Sequence, residues 1–153
     1  MNRGNWRDYM QALRSALWVG LTPTLLMAHD LLRALDLLQS ERGFEGQKVY
    51  LYGKGEARVA SLYSAILDES ISGAVLESIP TSHTEGAHII GILRVLDIPQ
   101  AVGLLAPRPV GVVNPGRRLL LWAERLYGRL GLPRRLIVGD LNAVFGRMLN
   151  QEA

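Results

Sequence analysis

The apolar positions along this chain change period. From Trp6 to Val19 they recur at three- and four-residue spacing, which predicts a helix. Thr22 or Thr24 can cap a second helix, with Pro23 at its start, running from about Leu25 to Gln39. Leucines cover most of its faces, so deep packing is expected, with His29 as a hydrogen-bonded packing residue rather than a ligand. Arg42-Gly43-Phe44-Glu45-Gly46 reads as a turn. Beyond it, short apolar runs alternate with longer helical ones. Lys48–Tyr52, Gly73–Leu76, Pro109–Val113 and Arg135–Val138 read as strands, and Val49–Tyr52 as a buried one. Glu56–Leu67, Ile89–Leu105 (interrupted at Pro99), Arg117–Leu130 and Leu141–Leu149 read as helices. The strands are apolar at successive positions, as in a sheet covered on both faces. Strands alternating with helices imply βαβ units. The expected fold class is α/β: a three-layer sandwich around a short, mainly parallel, four-stranded sheet.

Composition narrows the function classes. The 153 residues are 48% apolar and 20% charged, which suits one domain with a sizeable core and excludes a largely disordered chain. The net charge of +3 comes from arginine, since only Lys48 and Lys54 are lysines. No basic run exceeds two residues, so no nucleic-acid partner is expected. There is no cysteine, hence no disulfide, thiolate metal site or cysteine nucleophile. Ala16–Ala28 is apolar but broken by Thr22-Pro23-Thr24 and too short to span a bilayer. Arg3, Arg7 and Arg14 precede it as in a signal peptide, but Asp8 intrudes, and a soluble helix pair is the preferred reading. No membrane partner and a cytoplasmic location are the expectations.

Candidate chemistry gathers at strand ends. Gly53-Lys54-Gly55-Glu56 invites a phosphate-loop reading, but it lacks the spacing of G-x-x-x-x-G-K-[ST] and the third glycine of G-x-G-x-x-G. No cofactor is expected. Ser78, Ser82, His83 and Glu85 follow the second strand, where open α/β sheets bind ligands. Ser82 and His83 are alternative catalytic candidates. The bland alternative is a surface loop in which Thr81 or Ser82 caps a helix and Glu85 completes a capping box. His83 and His88 with Glu77 and Glu85 fit no H-E-x-x-H pattern, so no metal is expected.

Three segments carry a resemblance. They are Asp30-Leu31-Leu32-Arg33-Ala34-Leu35-Asp36-Leu37-Leu38; the turn Tyr52-Gly53-Lys54-Gly55-Glu56-Ala57; and Ile92–Ile98 followed by Leu104-Leu105-Ala106-Pro107-Arg108-Pro109-Val110. Over roughly Leu25–Val138 the chain resembles the C-terminal half of α/β-hydrolases of the acetyl xylan esterase and prolyl-oligopeptidase-like (dienelactone-hydrolase-like) groups. The resemblance implies the last four strands of an eight-stranded sheet, with residues 1–20 an N-terminal helical segment and 21–153 a partial hydrolase-like domain. The first four strands have no counterpart. It also implies a serine at the centre of G-x-S-x-G, where this chain has Gly55. The acid is expected after Pro109–Val113, where Asn114-Pro115-Gly116-Arg117 stands, and the histidine after Arg135–Val138, where Gly139-Asp140-Leu141-Asn142 stands. The amide of Glu56 would be an oxyanion donor, opposed by its own carboxylate. The expectation is a non-catalytic, degenerate relative or fragment of a carboxylic ester hydrolase. Its alternatives are an active hydrolase completed by another chain or using Ser82 and His83, and an interaction module using the sheet edge. The strand Lys48–Tyr52 would lack one neighbour, so a homo-oligomer or a partner chain completing the sheet is expected.

Overall fold

The computed structural model describes residues 3–44 and 46–150. Two helices, α1 (Arg3–Trp18) and α2 (Pro23–Ser40), precede the sheet. Thr22 caps α2 by accepting the Leu25 amide, and Pro23 sits at its start, where a missing N–H costs nothing. The strands are β1 (Val49–Gly53), β2 (Ile71–Glu77), β3 (Val110–Val113) and β4 (Leu136–Gly139). Between and after them run α3 (Ala57–Leu67), α4 (Ile98–Gly103), α5 (Arg117–Arg129) and α6 (Leu141–Asn150). Glu45 of the expected turn and residues 151–153 lie outside the described residues.

The sheet is parallel throughout, in the order β1-β2-β3-β4. Right-handed crossovers in a sequential order put every connecting helix on one face. On that face Val59, Leu62, Ala74, Leu76, Val110 and Leu119 form the main core with α3, α4 and α5. Among the described residues the other face is covered by α6, through Val75, Ile137, Val144 and Met148. The three-layer α/β architecture is the one the alternating pattern predicts.

The Leu104–Val110 segment has a definite structural job. The Arg108 guanidinium donates to the carbonyls of Asp68 and Ile71 at 3.0 and 2.8 Å, and the buried Tyr127 hydroxyl donates to the Arg108 carbonyl. These bonds tie the lead-in of β3 to that of β2 and to α5.

Four expectations are corrected. The stretch Ile89–Leu105 is not one helix interrupted at Pro99. A 3-10 turn at Ile92–Arg94 precedes α4, and Pro99 lies in α4's first turn. Asp97 and Gln100 there form a capping box, so the proline starts a helix instead of breaking one. Helix α2 is not deeply packed: Thr24, Ala28 and Leu35 face inward, while Leu26, Leu37 and Leu38 are exposed. Its main neighbours, α1 and α3, cover only part of its circumference. His29 is an exposed residue beside Asp30, not a packing residue. Strand β1 is half-buried rather than buried, because among the described residues only β2 pairs with it.

Candidate functional site

The carboxyl ends of the four strands form one surface, built from the loops after β1, β2, β3 and β4. The tightest loop joins β1 to α3. Gly53 lies so close to α3 that a Cβ there would meet the Arg58 Cα at 2.6 Å. Gly55 sits at φ +60°, the left-handed region, with open space around it. A strand therefore turns sharply into a helix, with an exposed, left-handed residue between them.

Beside this turn Glu77 ends β2. It accepts a short hydrogen bond from the Tyr52 hydroxyl and an ion pair from Lys54 at 3.1 Å. The Tyr52 bond and then the Lys54 bond hold the Glu77 carboxyl below its usual range. Reciprocally, the bond to Glu77 raises both the Tyr52 hydroxyl and the Lys54 ammonium. The cluster is an ionised carboxylate fully engaged by its two neighbours. Ser78, next in the chain, adopts φ +51°, and its carbonyl accepts from Arg58 at 2.8 Å. After β3, Asn114 is also left-handed, at φ +50°. After β4, Asp140 Oδ1 accepts the Ala143 amide at 2.9 Å, which starts α6.

Ser82 and His83 are adjacent in sequence but face different partners. His83 is 2% exposed, not part of a surface loop. Its Nδ1 lies 3.0 Å from the Ala87 carbonyl, which can only accept, so Nδ1 carries the proton. Its Nε2 then accepts from the Tyr63 hydroxyl at 2.8 Å. Burial, with Asp97 nearby, pushes the Tyr63 hydroxyl up to about 12 and keeps it a donor. Both imidazole nitrogens are thus engaged away from Ser82, whose hydroxyl accepts from the Thr84 amide and hydroxyl. Ser82 does start the 3-10 turn His83–Glu85. The capping box is displaced by one residue, since Glu85 reaches back to the amide and hydroxyl of Thr81 rather than to Ser82.

Asp97 was not singled out by the sequence, yet it organises this region. Its Oδ1 accepts the amides of His83 and Ile98, each at 2.8 Å. Burial pushes its carboxyl up, but the His83 amide, the Ser82 hydroxyl, the Ile98 amide and the nearby imidazole outweigh that and hold it below its usual range. The D-x-x-Q spacing of Asp97 and Gln100 was a readable signal for the cap. Tyr63 carried no local signal, because it meets His83 only through the fold. Glu77, Glu85, His83 and His88 do not converge, and among the described residues no three metal-ligating side chains do.

Comparison with known proteins bears on the fold. No protein-family profile and no curated protein sequence matches the chain. Among solved structures it is similar to a "putative acetyl xylan esterase" from Bacteroides fragilis NCTC 9343, with a TM-score of 0.79 at 17% identity. The match covers 88% of this chain and 40% of that one. The fold is thus α/β-hydrolase-like, and this chain spans about two fifths of the solved protein's length. No helix among the described residues is long and apolar enough to cross a membrane.

Proposed function

We propose that this chain is a non-catalytic α/β-hydrolase-like domain, a degenerate relative or fragment of a carboxylic ester hydrolase, whose sheet is completed at β1 by a second copy of itself or by a partner chain. The observation that carries the reading is Gly55. It has the left-handed conformation of a strand-to-helix elbow and no side chain with which to attack a carbonyl. Supporting it, Asp140 is occupied as a helix cap and the His83 nitrogens are occupied by Tyr63 and Ala87. Nucleophile, base and orienting acid act as a unit, so the loss of all three removes triad chemistry. Were a hydrolase site reassembled on this fold, it would be that of a carboxylic ester hydrolase, the class named for the similar structure.

A fluorophosphonate probe tests the reading. The chain remains unlabelled. Stoichiometric labelling at Ser82 or Ser78 would overturn the proposal in favour of a relocated site. Gly55→Ser also gives no measurable ester hydrolysis, because a hydroxyl without an adjacent base is a weak nucleophile. A large gain from that single change would mean that a base is present after all.

A further inference from the structure

The positive charge of this chain is concentrated where no basic run announces it. Residues 117–135 hold six arginines against one glutamate, on a chain whose total is only +3, so the remainder is net acidic. Arg118, Trp122, Arg125 and Arg129 are spaced by four, three and four residues along α5 and therefore share one face. The opposite face sends Leu119, Ala123 and Tyr127 into the core.

The charged face is concave. A cleft of about 280 Å³ lies between α5 and the start of α4, lined by Thr81, Asp97, Gln100, Arg118, Trp122 and Arg125, among others. A second, of about 210 Å³, continues past Trp122 to Arg129. Thr81 follows β2, and Arg118 lies in the first turn of the helix after β3. The cleft thus opens at the carboxyl ends of the strands, where parallel sheets present ligand sites.

Two observations make this more than a basic surface. Trp122 is seated: its six-membered ring lies against Gly103 of α4, where a Cβ would collide with it, yet the residue is still 36% exposed. Arg118 and Arg125 make no hydrogen bond or ion pair with a described residue, although Asp97 lines the same cleft. The Asp97 carboxylate is turned to the His83 and Ile98 amides instead. Two guanidiniums that pair with no described residue therefore flank a fixed, partly exposed indole.

We propose that this cleft binds a nucleoside phosphate, with the phosphate held by Arg118 and Arg125 and the base stacked on Trp122. Guanidinium forks match phosphate oxygens, and their axial separation of about 10 Å is within the reach of two arginine side chains converging over the indole between them. The indole face accepts a flat ring. The Gln100 oxygen is held by the Asp97 amide, which leaves its NH₂ to donate to the base or sugar. An acidic peptide would satisfy the arginines but leave the indole without a planar partner. A free nucleotide and the phosphorylated end of a single strand share the required chemistry.

Calorimetry on the full chain at low salt, with AMP, inorganic phosphate and adenosine as separate probes, tests this. AMP binds at least about tenfold tighter than either part alone. Arg118→Gln with Arg125→Gln weakens AMP about tenfold and flattens its salt dependence. Trp122→Leu, which keeps an apolar seat on Gly103, brings AMP down to the affinity of phosphate and leaves phosphate itself unchanged. Thermal melts confirm that the variants fold; the two arginines are exposed and pair with no described residue. A 5′-phosphorylated tetranucleotide that outbinds AMP supports a strand end as the source; equal or weaker binding supports the free nucleotide. Absence of AMP binding at millimolar concentration, AMP affinity unchanged in both variants, or tighter binding of polyglutamate would overturn the proposal.

Discussion

Strands β1 and β3 are both short apolar runs, and their environments differ. All four residues of β3 are buried between β2 and β4, with helices on both faces. In β1 only Gly53 is buried, and Tyr52 is 40% exposed. Its inner face, Val49 and Leu51, packs on the main core, while Tyr50 and Tyr52 look toward the side that α6 covers. An edge strand that keeps the composition of an interior strand is an association hazard, which proteins ordinarily manage with charge, proline or a cover. None of β1's residues is charged or proline. The exposed Leu37 and Leu38 of α2 extend the same imbalance to the helical layer. The contrast teaches that β1 carries the sequence of an interior strand at what is, among the described residues, an edge.

The largest expected effect sets the scale for that contrast. Leu76→Ala, at a fully buried position of β2 between the two strands, should cost about 2–5 kcal/mol in denaturant unfolding. Leu51→Ala on β1 should cost about 1 kcal/mol in the isolated chain, since its site is half open and can relax. Equal losses would mean that β1 is covered as completely as β2.

Association sharpens the same comparison. In a parallel strand, every second residue directs its N–H and C=O away from the neighbour already in place. For β1 those groups face no described strand. Sedimentation over a concentration series should show self-association of the purified chain. Hydrogen exchange in β1 should slow as the associated species accumulates, while β3 stays protected throughout. A stable monomer with slowly exchanging Val49 and Leu51 amides would break the contrast and point to cover from the N-terminal segment.

How much of this was legible in the sequence follows from range. Helices α3 and α5 and strands β2 and β3 were readable because a local period encodes each of them. The region before α4 was not, because Pro99 has opposite meanings inside a helix and in its first turn, and only the Asp97 and Gln100 pairing decides between them. The burial of His83 was invisible, since Tyr63 lies 20 residues away in sequence and reaches it through the fold. The exposure of His29 and the α2 leucines has no local signal, because a leucine-rich helix reads as central whether or not anything packs on its far side. The alignment of Arg118 with Arg125 lay in the sequence at seven-residue spacing, but a search for adjacent basic residues passes over it.

The Asp97 cap should give a smaller, pH-dependent effect. Asp97→Ala should cost about 0.5–2 kcal/mol at neutral pH, the usual range for losing an N-cap. The carboxyl is held below its ordinary value when folded. Its contribution is therefore present above the unfolded carboxylate pKa and is lost as pH falls through the lower folded value. Wild-type stability should fall over that acid window more steeply than that of Asp97→Asn. Parallel pH profiles would show that the bonds from the His83 and Ile98 amides do not depend on the charge.

The smallest expected effect lies at the carboxyl ends of β1 and β2, where the Tyr52 side chain bonds to the neighbouring strand across an open surface. Tyr52→Phe removes the hydroxyl that donates to Glu77 and leaves the ring against Phe145. Tyr52 and Lys54 are solvent-exposed and the half-buried Glu77 keeps its Lys54 ion pair, so the unfolding midpoint should move little. The readout is the titration of Glu77. Its carboxyl is held low first by the Tyr52 hydroxyl and second by Lys54, so Tyr52→Phe should raise it toward the ordinary carboxylate range. Lys54→Met should raise it by less. Carboxyl-carbon NMR titration of the variants distinguishes the two donors. If Lys54→Met produces the larger rise, the ion pair and not the edge-strand hydroxyl fixes the charge beside Gly55, and the link from β1 to β2 at this surface is weaker than its geometry implies.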